Sequence, residues 1–135
     1  MASILIIEDD LLMRSLCKEI LEQAGYDVLV ACNGCEGLKL LDQTLVDLVI
    51  TDVFMPVRDG LEVIMTLHRE KPAIPIIAFT GNAVGRDFLN AAKHLGARDT
   101  IAKPFSATDL IQAVQQQLST DEIRQTGAML QPIVS

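Results

Sequence analysis

Two rhythms of apolar and polar positions alternate along this chain. Ser3 to Ile7 is a short apolar run of the kind a strand buried on both faces needs. After Glu8-Asp9-Asp10, the residues Met13, Leu16, Cys17, Ile20, Leu21 and Ala24 recur at helical spacing. They predict one apolar helix face up to about Ala24, with Gly25 as its natural stop. Tyr26 to Ala31 predicts a second strand, Asn33-Gly34 a turn, and Cys35 to Gln43 a second helix. Leu48, Val49 and Ile50 form a third strand that stops at an acid, Asp52, before turns at Met55-Pro56 and Asp59-Gly60. Its helix runs from about Asp59 to Glu70 and is ended by Lys71-Pro72. Ile74 to Phe79 is the fourth strand, stopping at Thr80-Gly81, and roughly Val84 to Leu95 its helix, closed by Gly96. Arg98 to Ala102 is the weakest strand, identified mostly by its place in the alternation. Ser106 to Asp109 has the form of a capping box with Asp in the acidic position, and it opens a helix striped by Leu110, Ile111, Val114 and Leu118.

Strand then helix, five times over, implies an α/β fold: a parallel sheet of five strands with helices on both faces. Residues 120–135 stand outside the alternation. Ser119-Thr-Asp-Glu122 could cap one more helical turn, and Ile123, Met129, Leu130, Ile133 and Val134 are apolar. Such a tail packs on the domain, binds a partner or begins a linker. The expected organisation is one domain over residues 1–119 and a C-terminal tail over 120–135.

A length of 135 residues suits a single sizeable core. Half the residues are hydrophobic, yet no apolar run approaches the roughly 18 residues of a membrane span. The N-terminus enters a strand directly, without the basic region and cleavage site of a signal peptide, so a cytoplasmic location is expected. The net charge of −7 and the lack of a basic stripe argue against nucleic-acid binding by charge attraction. Three cysteines, an odd number, make no disulfide framework.

In a parallel sheet the carboxyl ends of the strands gather on one edge, where open α/β sheets put their chemistry. Here Glu8, Asp9, Asp52, Thr80 and Lys103 reach that edge: three acids, a hydroxyl and an amine. Two unit charges about 4 Å apart interact by about 4 kcal/mol at an effective dielectric of about 20. Three clustered carboxylates therefore call for a cation, and one lysine does not neutralise them all. Oxygen ligands without nearby His or Cys suit a hard divalent ion, Mg²⁺ best. Mg²⁺, an amine, a hydroxyl and a free carboxylate together can stabilise a phosphoryl group in transfer, with the carboxylate as acceptor.

These motifs resemble the receiver domain of two-component response regulators, over about residues 3 to 119. Five separated motifs match in order. The resemblance implies that Glu8 and Asp9, in Ile-Leu-Ile-Ile-Glu8-Asp9-Asp10, hold Mg²⁺. It implies that Asp52, in Asp52-Val-Phe-Met-Pro-Val-Arg-Asp-Gly60, is the phosphoacceptor, and that the backbone carbonyl of Phe54 completes the metal shell. Thr80 matches the switch hydroxyl that bonds the phosphoryl group. Lys103, in Lys103-Pro104-Phe105, matches the lysine that pairs with it, with a cis Lys103-Pro104 bond. The implied fold is flavodoxin-like and doubly wound, with strand order 2-1-3-4-5. The implied partners are a sensor histidine kinase or histidine phosphotransfer protein as donor, and a downstream effector protein or output domain. No output domain is expected after residue 119, so the chain reads as a stand-alone regulator or the receiver of a longer protein.

Departures from the family pattern qualify this. The family usually carries Tyr or Phe three residues before the lysine, where the ring swings inward on phosphorylation. Here that position is Thr100, so no ring flip can couple Thr80 to the outer face. Phe54 and Asn82 occupy the pair of positions that tunes dephosphorylation, and a bulky Phe54 would hinder the attacking water. Asp10 either orients the metal site or begins the first helix. Cys32-Asn-Gly-Cys35 has the CxxC spacing of a thioredoxin-like redox site, but the turn at Asn33-Gly34 and the strand order favour a structural role. His68 and His94 fall near predicted helix ends, where partial positive charge is favourable.

The expected function is thus a phosphoacceptor, not an enzyme on a separate substrate, with Mg²⁺-dependent phosphorylation of Asp52 switching partner binding. A phosphatase or kinase-like enzyme would need a second acid two residues past the nucleophile, where Phe54 stands. The other alternative is a receiver-shaped interaction module that never becomes phosphorylated.

Overall fold

The computed structural model describes residues 2–53, 60–80 and 86–125 of the chain. Five strands, β1 (Ser3–Ile7), β2 (Asp27–Ala31), β3 (Leu48–Asp52), β4 (Ile76–Thr80) and β5 (Asp99–Ala102), form one sheet in the order β2-β1-β3-β4-β5, every pair parallel. Between and after them run α1 (Leu11–Gln23), α2 (Gly34–Gln43), α3 (Gly60–Glu70), α4 (Arg86–Leu95) and α5 (Ala107–Gln125). This is the expected flavodoxin-like fold.

Strand periodicity sorts the core into two layers. Leu5, Ile7, Val49, Ile76 and Ala78 pack with Leu41 of α2, with Val63, Ile64 and Leu67 of α3, and with Ala92 of α4. The alternate positions Ile4, Ile6, Leu48, Ile50, Ile77 and Phe79 pack with Cys17 and Leu21 of α1 and with Leu110 and Val114 of α5. Successive side chains leave a strand on opposite faces, so helices on both sides require strands that are apolar throughout. That is why β3 is buried at all five positions. Gly37 brings α2 close against β1: a Cβ there would lie 2.8 Å from Cγ1 of Ile7.

Element boundaries differ from the sequence expectation in physically readable ways. Asn33-Gly34 is not a free-standing turn: Asn33 is the N-cap of α2, its side chain accepting from the Glu36 N–H at 2.9 Å, and Gly34 is already helical. Strand β4 starts at Ile76 rather than Ile74, because Ile74 N–H bonds back to the Lys71 carbonyl in the turn after α3. On α1, Cys17 and Leu21 are buried, whereas Leu16 and Ala24 face solvent. The capping box at Ser106 forms reciprocally, with Asp109 N–H on Ser106 Oγ at 3.0 Å and Ser106 N–H on Asp109 Oδ2 at 3.2 Å. Helix α5 then runs without a break through the expected boundary at residue 119 to Gln125. The expected starts of two helices, Asp59 and Val84, lie outside the described residues.

Candidate functional site

β1 and β3 are neighbours in the sheet, but the chain leaves them in opposite directions, toward β2 and toward β4. Such a reversal of strand order opens a crevice at the carboxyl edge. Glu8 is the first residue past β1 and Asp52 the last residue of β3. The Glu8 N–H still bonds the Ala31 carbonyl at 3.0 Å, so Glu8 is held as part of the sheet, and it is entirely buried. Asp9, one residue on, is exposed. One carboxylate oxygen from each of Glu8, Asp9 and Asp52 can be chosen so that all three lie within 4.8 Å of one another.

Lys103, just past β5, reaches into this group from 95 residues away in sequence. Its Nζ donates to Glu8 Oε1 and, at 2.8 Å, to Asp52 Oδ2. The same ammonium lies 5.5 Å from the centre of the Phe79 ring, which stacks at 5.0 Å on Phe105. The Lys103-Pro104 peptide is cis, as the resemblance implied. Thr51, buried beside Asp52, donates its hydroxyl to the Asp52 carbonyl at 3.1 Å. Three oxygen donors, one of them at the solvent edge, suit a metal ion that keeps part of its water shell, so the residues present fit such a group.

The electrostatics of the pair are unequal. Burial holds the Glu8 carboxyl up at about 7 against an ordinary 4.5; the bond from Lys103 opposes this and the charge of Asp52 adds to it. Burial alone would depress the Lys103 amine, but bonding to Asp52 and Glu8 outweighs it and holds the amine above its usual range. Cys17, buried near Glu8, has its thiol pushed up to about 12 by burial and by the Glu8 charge, so it is a packing residue and not a nucleophile.

A carboxyl that holds its proton more tightly in the folded state costs nothing below its unfolded pKa. The cost grows as pH rises from about 4.5 to about 7 and is constant above that. Metal-free protein should therefore lose thermal stability across this window, and Glu8→Gln should flatten the loss. Melting in chelator from about pH 5 to about pH 7.5 measures it. Identical slopes in the two proteins would remove Glu8 as the cause.

Other sequence-marked residues fall as follows. Asp10 is the N-cap of α1, its Oδ1 accepting from Leu12 N–H at 2.9 Å and Met13 N–H at 3.2 Å, which resolves its two readings toward the cap. Thr80 ends β4 on the same edge, in register with Ala102 beside Lys103. Its side chain, with Phe54 and Asn82, lies outside the described residues. Thr100 lies on the β5–α5 side, lining with Phe105, Asp109 and Gln112 a groove of about 340 Å³. Cys32 and Cys35 are free and exposed, and the Cys32 thiol donates to Glu36 Oε2 at 3.3 Å. Among the described residues they join no metal-binding group. His68 and His94 occupy the last turns of α3 and α4, as expected. Sequence reasoning passed over Arg14, whose guanidinium donates to the Glu8 carbonyl at 2.8 Å.

The family described as response regulator receiver domain matches residues 4–115. The transcriptional regulatory protein CpxR of Escherichia coli K12 is 36% identical over 115 residues, covering 85% of this chain and 48% of CpxR. The alkaline phosphatase synthesis transcriptional regulatory protein PhoP of Bacillus subtilis is 35% identical over 120 residues, 89% of this chain and 50% of PhoP. The chain spans about half the length of these curated relatives. Among solved structures, a CheY-like response regulator receiver domain protein from Methanospirillum hungatei superimposes with a TM-score of 0.87 at 28% identity, over 92% of this chain and 98% of that one.

Proposed function

The chain belongs to the response regulator receiver family, and we propose that it takes a phosphoryl group onto Asp52 in a Mg²⁺-dependent step and so changes what it binds. The observation that carries this reading is the convergence of Glu8, Asp9, Asp52 and Lys103 at the β1–β3 crevice. In the proposed step an Asp52 carboxylate oxygen bonds to phosphorus while the donor's bond to phosphorus breaks, and the leaving group departs with the electron pair. Lys103, already hydrogen-bonded to Asp52, holds a positive charge where the phosphoryl oxygens will gather. Thr80 would bond one of those oxygens once the group is in place.

Glu8, Asp9, Asp52 and the Phe54 carbonyl would hold Mg²⁺. The ion, when bound, supplies the positive charge that neutralises the transferring group. Later attack by water on the same phosphorus would regenerate the carboxylate and release inorganic phosphate, and a bulky Phe54 two residues past the acceptor would slow it.

The donor would be the phosphohistidine of a sensor kinase or histidine phosphotransfer protein, acting in the cytoplasm. Leu11, Leu12 and Leu16 at the start of α1 are exposed beside the acidic loop and suit contact with such a donor. Output would be an effector protein or output domain, in keeping with relatives that are transcriptional regulators. No helix among the described residues is long and apolar enough to cross a membrane.

The test is incubation with acetyl phosphate, followed by intact-mass measurement. One phosphoryl group should be gained with Mg²⁺ and none in chelator. Equal mass gain in both, or none in either, would refute the reading.

A further inference from the structure

The exposed acid of the cluster is the one with least to hold it. Among the described residues, the Asp9 carboxylate has no hydrogen-bond or ion-pair partner. Its place is therefore set by the main chain on either side of it. On one side is Glu8, whose N–H bonds the Ala31 carbonyl. On the other is Asp10, which caps α1 through its side chain. Arg14, in the first turn of α1, grips both. Its own N–H bonds the Asp10 carbonyl at 2.9 Å, and its guanidinium reaches back to the Glu8 carbonyl at 2.8 Å. The first bond is ordinary helix geometry. The second is made by the side chain alone and ties the end of β1 to the start of α1 across Asp9.

We infer that Arg14 is a positioning residue for metal binding, its guanidinium fixing the Glu8–Asp10 loop so that Asp9 stands beside Glu8 and Asp52. The inference rests on the reading of those three carboxylates as the Mg²⁺ site. Two effects of Arg14 oppose each other, which gives the idea a sign. As a nearby positive charge, Arg14 repels a cation, so on charge alone its removal tightens metal binding. As a loop clamp it keeps a ligand in place, so its removal weakens binding; losing such a supporting contact typically costs about 10-fold to 100-fold in metal affinity.

The experiment is direct metal titration of the full chain, without phosphodonor, by calorimetry with Mg²⁺ and by the spin-resonance signal of free Mn²⁺. The proteins are wild type, Arg14→Ala, Arg14→Lys and Asp9→Asn. Arg14→Ala should weaken both metals by about 10-fold. Arg14→Lys, which keeps the charge and one donor, should recover most of the affinity, while the melting temperature of the metal-free proteins changes little. If Arg14→Ala is unfolded, Arg14→Gln, which keeps a donor without the reach, takes its place in the comparison. Affinity that is unchanged or tighter in the Ala variant while Asp9→Asn is weak would overturn the inference and leave the metal site standing. A wild-type protein that takes up neither metal would overturn the site itself.

Discussion

Asp52→Asn is expected to reduce phosphate uptake from acetyl phosphate to background, while leaving the domain folded. The carboxamide has nearly the shape of the carboxylate, so packing at the end of β3 should survive. What would be lost is the proposed nucleophile, because an amide at that position has no anionic oxygen with which to form the bond to phosphorus. The swap also removes one negative charge from a cluster in which two buried acids, Glu8 and Asp52, and the exposed Asp9 share one amine. Metal-free stability should hold or rise for that reason, which separates a lost function from a lost fold. Intact-mass measurement and thermal melting together read both. A mass gain at wild-type level in the Asn variant would reassign the phosphoacceptor.

Lys103→Met should have the largest effect on stability, with a pH dependence that identifies its cause. Lys103 is the cation bonded to both Glu8 and Asp52, and removing one member of a buried charge group typically costs about 3–5 kcal/mol. Glu8 can relieve that cost by taking up a proton, and without Lys103 its pKa rises further from an already elevated value. The destabilisation should therefore be small near pH 5, where Glu8 is protonated in both proteins, and full in mildly alkaline solution. Phosphate uptake should fall by about 100-fold, the usual scale for losing one charge-stabilising donor. Metal affinity should move the other way, because the ammonium occupies carboxylate oxygens that a metal would use. Urea unfolding at two pH values, with a metal titration, tests all three. A penalty independent of pH would mean that Lys103 stabilises the fold by packing rather than by charge.

Much of this was legible in the sequence because its strands are strongly patterned. Ile4 to Ile7 and Leu48 to Ile50 are apolar without interruption, which only a strand covered on both faces requires. Strand ends then located Glu8, Asp52 and Lys103, and the fold brings those three together. What the sequence did not reveal is how unequal the neighbouring acids are. Glu8 and Asp9 are adjacent and alike in charge, yet one is sealed in the sheet and the other is exposed, because the strand's last ladder bond falls at Glu8.

Arg14 was invisible for a similar reason. On an amphipathic helix a lone arginine reads as part of the solvated face, and its bond to a backbone carbonyl six residues earlier leaves no periodic signature. The one available signal was a cation one turn into a helix that follows an acidic loop. Asn33-Gly34 misled because the same dipeptide serves a turn and a helix cap; the Glu three residues on favoured the cap. Ser119-Thr-Asp-Glu122 was the opposite case, a cap-like sequence that the helix simply runs through.

Lys103 and Glu8 meet from 95 residues apart in a chain of 135, with Asp52 brought in from between them. No fragment shorter than that span contains the chemistry. A copy truncated before Lys103, or one whose sheet has not closed, would lack the joined carboxylates and ammonium on which the proposed phosphoryl transfer depends.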